Sequence, residues 1–363
     1  MQIPFIDLKL QYDTYKEEIN QAIFNVLNST QFIMGPEVTK LEENLANYTS
    51  TKYAHACSSG TDALLIALLA IDIQPGDEVI TTPFTFIATA ETIAFLKAKP
   101  VFVDIDETTY TINPTRIEAK ITPKTKAIIP VSLYGQTADM DAINAIAKKH
   151  HLVVIEDACQ SFGAAYKNKK SCNLSTIGCT SFFPSKPLGC YGDGGAIFCH
   201  DEALSAKMKS LLNHGQGKRY EHNYIGINGR LDTIQAAVLN VKLNHFEAEV
   251  EKRIAIGTRY SKLLEHTDII TPTIMKDRNS VYAQYAIRVK NRKTMIKKLN
   301  DVGIPTAIHY PIPLHLQKAM SYLGYQKGDF PLSELVGTQI MSLPMSPFLT
   351  EAQQDFIVNT IKA

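Results

Sequence analysis

The sequence predicts an α/β fold: a mostly parallel sheet with helices on both faces, followed by a smaller C-terminal α/β domain. Three observations predict it. Apolar runs of strand length alternate with helix-length segments through the first half of the chain, the pattern of crossover units. Several of those runs, such as Ala127 to Leu133 and Leu152 to Ile155, are continuously apolar, as strands buried between two helix layers are. Polar and small residues gather where the strands end, at Ser58 to Asp62, Thr82 to Phe86 and Glu156-Asp157. That edge is where ligands bind on such sheets.

The elements follow in order. Leu8 to Tyr48 reads as amphipathic helix, broken near Met34-Gly35-Pro36. Its second part places Val38, Leu41, Leu45 and Tyr48 on one face. Tyr53 to Cys57 reads as a short buried strand, and Ala63 to Ile71 as an apolar helix. Between them Ser58-Ser59-Gly60-Thr61-Asp62 forms a turn at a positive helix end, which suits an anion. The same residues would also cap the helix with no anion present. Alternation continues with strands at Glu78 to Thr82 and Pro100 to Asp104, and helices at Phe86 to Leu96 and Pro114 to Ile121. The strand Ala127 to Leu133, the helix Met140 to His150 and the strand Leu152 to Ile155 come next. From Gly178 the chain gives a strand, a lysine-bearing turn and a second strand, Gly195 to Cys199. A polar, glycine-bearing stretch, Asn213 to Arg230, precedes a long helix from about Thr233 to His266. Ala236, Ala237, Leu239, Val241, Leu243 and Phe246 mark its apolar side, so this helix suits a bridge between a domain at 1–250 and another at 251–363.

Composition narrows the function. A chain of 363 residues with 45% hydrophobic and 20% charged residues is long enough for a sizeable core. A net charge of +1 gives no basis for binding nucleic acid or an anionic membrane surface. The six cysteines form no C-x-x-C pair, so no metal site is expected and free thiols in the cytoplasm are. The N-terminus has no signal-peptide pattern, and the longest apolar run, Ala63 to Ile71, is too short to span a bilayer.

The chemistry centres on Lys186. It stands between Phe182, Phe183 and Pro184 on one side and Pro187 and Leu188 on the other, with a glycine-dense turn after it. An amine in such surroundings loses solvation, which favours its neutral, nucleophilic form. Asp157 closes an apolar strand, where a carboxylate needs a partner or caps the next turn. Phe86 follows another strand, where an aromatic fills core or stacks on a flat ligand. An anion turn, an aromatic, a buried acid and a desolvated lysine together meet the demands of pyridoxal phosphate. The lysine bonds the aldehyde, the acid keeps the pyridine nitrogen protonated, and Gly60, Thr61, Asp62 and Ser181 face the phosphate. No G-x-G-x-x-G follows the first strand, which argues against a nicotinamide cofactor.

The chain also resembles the DegT/StrS family of nucleotide-sugar aminotransferases over nearly its whole length. The resemblance rests on Ser58 to Leu64, Pro83 to Thr89, Val131 to Gly135, Glu156 to Gln160, the Lys186 stretch, Gly226 to Arg230 and His309-Tyr310-Pro311. It implies the aspartate-aminotransferase-like fold (pyridoxal phosphate fold type I), with a mostly parallel seven-stranded sheet in the large domain. It implies that Lys186 bonds the cofactor and moves the proton, that Asp157 pairs with the ring nitrogen, and that Gln160 bonds the ring hydroxyl. Ser181 would bind the phosphate, with Asn228 reaching it from the other subunit of a homodimer. Arg230, His309, Tyr310 and His315 would line the sugar-nucleotide site.

Lysine at 186 implies amino transfer; members that act as dehydrases carry histidine there. Two departures from the common family pattern bear on the substrate: Asp193 stands where many members have glutamate, and Phe162 where many have histidine. The run Phe182 to Ala196 looks most like enzymes that aminate C3 of a UDP-linked 3-keto N-acetylglucosaminuronic acid for O-antigen or related polysaccharides, with glutamate as donor. A substrate carboxylate would want a guanidinium, for which Arg230 is the candidate. The alternatives are a dTDP-linked 3-keto-6-deoxyhexose as acceptor, or a non-catalytic regulator that keeps the fold.

Overall fold

The computed structural model describes residues 3–363. Two helices open the chain, α1 (Leu8–Ser29) and α2 (Pro36–Thr49). Pro36 starts α2 at a position that needs no N–H, which is why the helical pattern breaks there. Alternation then runs β1 (Tyr53–Cys57), α3 (Gly60–Ala70), β2 (Glu78–Thr81), α4 (Ala88–Phe95), β3 (Lys99–Phe102), β4 (Thr125–Ile128), α5 (Met140–His150) and β5 (Val153–Asp157). A small ribbon of β6 (Ala165–Tyr166) and β7 (Lys169–Lys170) leads to β8 (Ile177–Ser181), β9 (Gly195–Cys199) and α6 (Glu202–Leu211). A second ribbon, β10 (Gln216–Lys218) and β11 (Glu221–His222), precedes the long α7 (Thr233–Leu263). The remainder holds β12 (Tyr285–Arg288), α8 (Arg292–Asp301), α9 (Pro331–Gln339), β13 (Ile340–Leu343) and α10 (Glu351–Lys362).

Seven strands form one sheet in the order β1-β9-β8-β5-β4-β2-β3. The pairs β2–β3, β2–β4, β4–β5 and β5–β8 are parallel, and β9 runs antiparallel to both β8 and β1. This is the mostly parallel seven-stranded α/β sheet that the sequence predicts. Strand alternation sends Ile197 and Cys199 to one face, under α3 and α6, and Ala196 and Phe198 to the other, under α2 and α7. Phe162 lies in that second core, ring against Phe182, Phe198 and Phe246. It faces no ligand space, so the departure there changes core packing and not a substrate contact.

Two sequence expectations change. Pro114 to Ile121 is not a helix but two short 3₁₀ turns, Pro114–Arg116 and Glu118–Lys120. Only Ile117 is fully buried in that stretch, too small an apolar anchor to offset helix nucleation. The strand expected to reach Leu133 stops at Ile128, because Pro130 has no N–H for the ladder. The chain still runs along β5, with Asp157 N–H donating to the Pro130 carbonyl at 2.9 Å.

The helix α7 belongs to two cores. Ala236, Leu239, Phe246 and Val250 pack under the large sheet, whereas Ile256 and Tyr260 pack with Tyr285, Ile287, Met341, Leu343 and Ile357. The expected division at 250 therefore falls inside a continuous helix. The C-terminal part is also tied to the strand ends. The carboxylate of Asp104 accepts from Leu332 N–H and Ser333 N–H, each at 3.0 Å, and from the Ser333 hydroxyl at 2.6 Å, in the first turn of α9. Leu314 N–H donates to the Pro83 carbonyl at 2.8 Å. Replacing Asp104 with alanine removes the acceptor of three backbone amides, those of Ile105, Leu332 and Ser333. We expect it to lower the unfolding free energy of the cofactor-free protein by about 2 kcal/mol in urea titrations, with Asp104→Asn recovering part of the loss.

Candidate active site

Where α3 begins, two backbones meet. Gly195 opens β9 directly beneath Ser59, and a Cβ on it would lie 2.5 Å from the Ser59 carbonyl carbon and oxygen. Gly60 faces Ser181, and a Cβ there would lie 2.7 Å from the Ser181 Cβ and 2.9 Å from Cys159 Sγ. Only glycine allows this approach. It seats the helix N-terminus against the ends of β8 and β9. Ser59 is the N-cap, accepting from Asp62 N–H at 3.0 Å. The N–H groups of Gly60 and Thr61, at the first two helical positions, have no acceptor within the helix and point to the same end. They share a cavity with the Ser181 side chain. Asp62 departs from the expectation. Its amide is spent on the cap and its carboxylate accepts from the hydroxyls of Ser58 (2.6 Å) and Ser59 (2.9 Å), so it braces the turn instead of lining the cavity.

The cavity, about 470 Å³, lies beyond the carboxyl ends of the strands. Of the residues expected in the site, Gly60, Thr61, Phe86, Asp157, Gln160, Ser181, Lys186, His309 and Tyr310 line it. Asp157 is 4% exposed. Its Oδ2 accepts from Thr89 Oγ1 at 2.7 Å and its Oδ1 from Cys159 N–H at 3.2 Å, which fixes the carboxylate and leaves acceptor capacity toward the cavity. Thr85 Oγ1 backs Thr89 Oγ1 at 3.0 Å. These threonines were not singled out from sequence; their four-residue spacing at the start of a helix was the available signal.

Gln160 is held at both ends. Its Oε1 accepts from Tyr134 N–H at 2.9 Å, which orients the amide, and its Nε2 donates to the Tyr310 hydroxyl at 3.2 Å. One N–H of that amide stays available. Burial, and then the Asp157 charge, raises the Tyr310 pKa, so the phenol keeps its proton. His309 Nδ1 lies 3.0 Å from Ser342 Oγ, and the Tyr134 hydroxyl donates to the His309 carbonyl. Burial and then the charge of Lys186 lower the His309 pKa, favouring neutral imidazole. Phe86 does not fill core: it is 51% exposed at the cavity mouth, its ring 6.1 Å from that of Tyr310. Phe84, two residues earlier, takes the core position.

Three expected residues lie elsewhere. His315 is buried under Phe330, ring centroids 4.7 Å apart, with Nε2 3.0 Å from Glu334 Oε1. It is a structural histidine and does not line the cavity, because the Leu314–Pro83 bond turns its segment inward. Asn228 and Arg230 lie on a strip stitched along the end of β1, through Ser58 N–H to the Gly229 carbonyl at 2.9 Å. Asn228 is exposed. Arg230 donates from Nη1 to Asn213 Oδ1 at 2.6 Å, while its Nε is buried without an acceptor. Neither lines this chain's own cavity. Asp193 does, so of the two departures from the family pattern it is the one that faces ligand space.

The donor set fits pyridoxal phosphate. Gly60 lets the helix start seat against Ser181, the free N–H groups and Ser181 supply donors for an anion, and a fixed carboxylate and an amine share the same space. Burial pushes the Lys186 pKa down, more than Cys159 and Asp157 push it up. Among the described residues no cluster of potential metal ligands occurs. Fold and site together define a fold type I pyridoxal phosphate enzyme.

Comparison with known proteins is consistent with this. A family model described as the DegT/DnrJ/EryC1/StrS aminotransferase family matches residues 13–362. The chain is 54% identical, over 96% of its length and 97% of the relative's, to UDP-2-acetamido-2-deoxy-3-oxo-D-glucuronate aminotransferase of Pseudomonas aeruginosa. It is 47% identical, over 99% and 98% of the two chains, to the pleiotropic regulatory protein of Geobacillus stearothermophilus. Among solved structures, a DegT/DnrJ/EryC1/StrS aminotransferase from Brucella abortus superimposes with a TM-score of 0.96 at 42% identity over 99% of both chains. NtdA of Bacillus subtilis, with bound cofactor PMP, superimposes with a TM-score of 0.93 at 32% identity, covering 99% of this chain and 84% of that one. The chain belongs to the DegT/DnrJ/EryC1/StrS aminotransferase family and is a pyridoxal-phosphate-dependent transaminase.

The lowered Lys186 pKa has a thermodynamic sign. The unfolded chain binds this proton more tightly than the folded one, so the buried site costs stability at neutral pH, and the cost fades as pH rises toward the ordinary lysine value. Lys186→Met is therefore expected to raise the urea midpoint of the cofactor-free protein at pH 7 and to do so less at pH 10. An unchanged or lower midpoint at pH 7 would contradict it.

Proposed function

We propose that this transaminase moves the amino group of glutamate to the C3 ketone of a UDP-linked 2-acetamido-2-deoxy-3-oxo-glucuronic acid, in the cytoplasm, for O-antigen or a related surface polysaccharide. The observation that carries the chemistry is one cavity holding the Lys186 amine, the Asp157 carboxylate and the Gly60–Thr61–Ser181 anion donors. The relative from Pseudomonas aeruginosa supports the substrate. Among the described residues no helix is long and apolar enough to cross a membrane.

When bound, pyridoxal phosphate carries the amino group between the two substrates and takes up the electron pair left when a C–H proton departs. The protein's own residues do the rest. Gly60, Thr61 and Ser181 would hold the phosphate. Asp157, braced by Thr89, would keep the proton on the pyridine nitrogen. The spare N–H of Gln160 would meet the ring hydroxyl. Lys186, its neutral amine favoured by burial, would bond the cofactor aldehyde at rest; freed, it is placed to take the proton from the α-carbon of glutamate and to deliver one to C3 of the sugar. Glutamate leaves as 2-oxoglutarate and the ketone becomes an amine, so the exchange balances. His309 and Tyr310 face the sugar.

We place Asn228 and Arg230 in the partner subunit's cavity of a homodimer. Both sit on one strip beside β1, where Asn228 is exposed and Arg230 half-buried, and neither lines its own chain's cavity. The Arg230 guanidinium then meets the uronate carboxylate.

Three measurements test this reading. Borohydride reduction of the holoenzyme followed by peptide mapping is expected to leave a pyridoxyl group on Lys186; a label on another lysine refutes the site. Steady-state assays with glutamate are expected to show higher kcat/KM on the UDP-3-keto-uronate than on a dTDP-linked 3-keto-6-deoxyhexose. Arg230→Ala should cut kcat/KM on the uronate by about 10- to 100-fold while sparing release of 2-oxoglutarate. Mixing Arg230→Ala with Lys186→Ala subunits should restore part of the activity only if the sites are shared.

A further inference from the structure

Lys186 stands on the segment that joins β8 to β9, and that segment is folded tightly. Lys186 N–H donates to the Phe183 carbonyl at 2.9 Å and Cys190 N–H to the Phe182 carbonyl at 2.8 Å. A Cβ at Gly189 would lie 2.6 Å from the Pro184 carbonyl oxygen and 2.7 Å from that of Phe183. The outgoing arm is held from below by two side chains of α7. Gln235 Oε1 accepts from Tyr191 N–H at 2.8 Å, and Lys242 Nζ donates to the Gly189 carbonyl at 2.7 Å. Gln235 and Lys242 are two helical turns apart, hence on one face.

Lys242 is an unusual residue to bury. It is 3% exposed, and its ammonium sits 4.4 Å from the centre of the Tyr191 ring. Its charge faces Glu249 further along α7, whose carboxylate is taken by the Gln11 side chain of α1 at 2.9 and 3.0 Å. On the loop it faces the Cys190 thiol, which burial pushes up to about 11 and so keeps protonated. A buried ammonium with so little compensation is costly, and an apolar side chain there would be cheaper unless the bond to Gly189 matters.

We propose that Lys242 and Gln235 are positioning residues for the transamination: they clamp the loop between β8 and β9 so that the Lys186 amine is presented to the cavity beside Asp157. The proposal rests on Lys186 being the lysine that bonds the cofactor. Neither residue lines the cavity, and both act through backbone groups of the loop. Burial lowers the Lys242 pKa to about 8. The charged, stronger donor is therefore present below that pH and is lost as pH rises through it, and the clamp weakens in the same range.

The test uses the holoenzyme and three variants: Lys242→Met, Lys242→Arg and Gln235→Leu. Hydrogen exchange of peptides covering residues 184–193 is expected to quicken by about tenfold in Lys242→Met and by less in Gln235→Leu, with little change in the core strands. The kcat of Lys242→Met should fall by about 10- to 100-fold with KM for glutamate nearly unchanged. The wild-type kcat should show an alkaline limb near pH 8. Lys242→Arg, whose guanidinium stays charged, should keep the loop protected and move that limb to higher pH. Unaltered exchange of the loop in folded Lys242→Met overturns the proposal, as does an alkaline limb that stays in place in Lys242→Arg. Should Lys242→Met fail to fold, Gln235→Leu and Lys242→Arg carry the same readings. Exchange reports on the clamp independently of the borohydride label, so failure of one is told apart from failure of the other.

Discussion

The close approach of α3 to the ends of β8 and β9 is the constraint on which the site depends. Gly195 lies under Ser59 and Gly60 lies against Ser181, both nearer than any Cβ permits. That contact brings the free N–H groups of a helix start to a strand end carrying a hydroxyl. The same strand runs on into the loop of Lys186, and its other neighbour, β5, ends in Asp157. Anion donors, acid and amine are thus placed by three adjacent pieces of one sheet. Their relation is set by backbone packing and not by side-chain reach. A side chain at either glycine would push the helix end away and open the site at its phosphate end.

Around that core the polar groups hold one another in place. Thr89 holds Asp157, Tyr134 orients Gln160, and Gln160 in turn holds Tyr310. The pattern is one of fixed dipoles surrounding a desolvated amine, which is how a protein keeps such an amine reactive without letting it drift. The price is a buried site that lowers stability, a common relation between function and fold.

Much of this was legible in the sequence. Continuous apolar strands ending in polar residues located the sheet and its ligand edge, and Lys186, Asp157 and Gly60 followed from the chemistry each position demands. What was not legible has physical reasons. A short segment such as 114–121 has a helical pattern but too little buried surface, and that balance is decided by its neighbours. Ser58 to Asp62 read as a helix cap or as an anion site, and the structure uses Asp62 to cap the helix and brace the turn. His315 and Glu334 are nineteen residues apart, and nothing local reveals that they pair. Lys242 looks like any helical lysine until the loop above it is seen. The long-range partner decides each of these cases, and a single sequence does not display it.

The double membership of α7 has a consequence for how the chain comes apart. Its first half is capped by one core and its second half by another, with no break between. Melting either core would strip apolar surface from a helix that the other still needs. The two halves of the molecule should therefore lose their structure together, as one cooperative unit, despite having separate hydrophobic interiors.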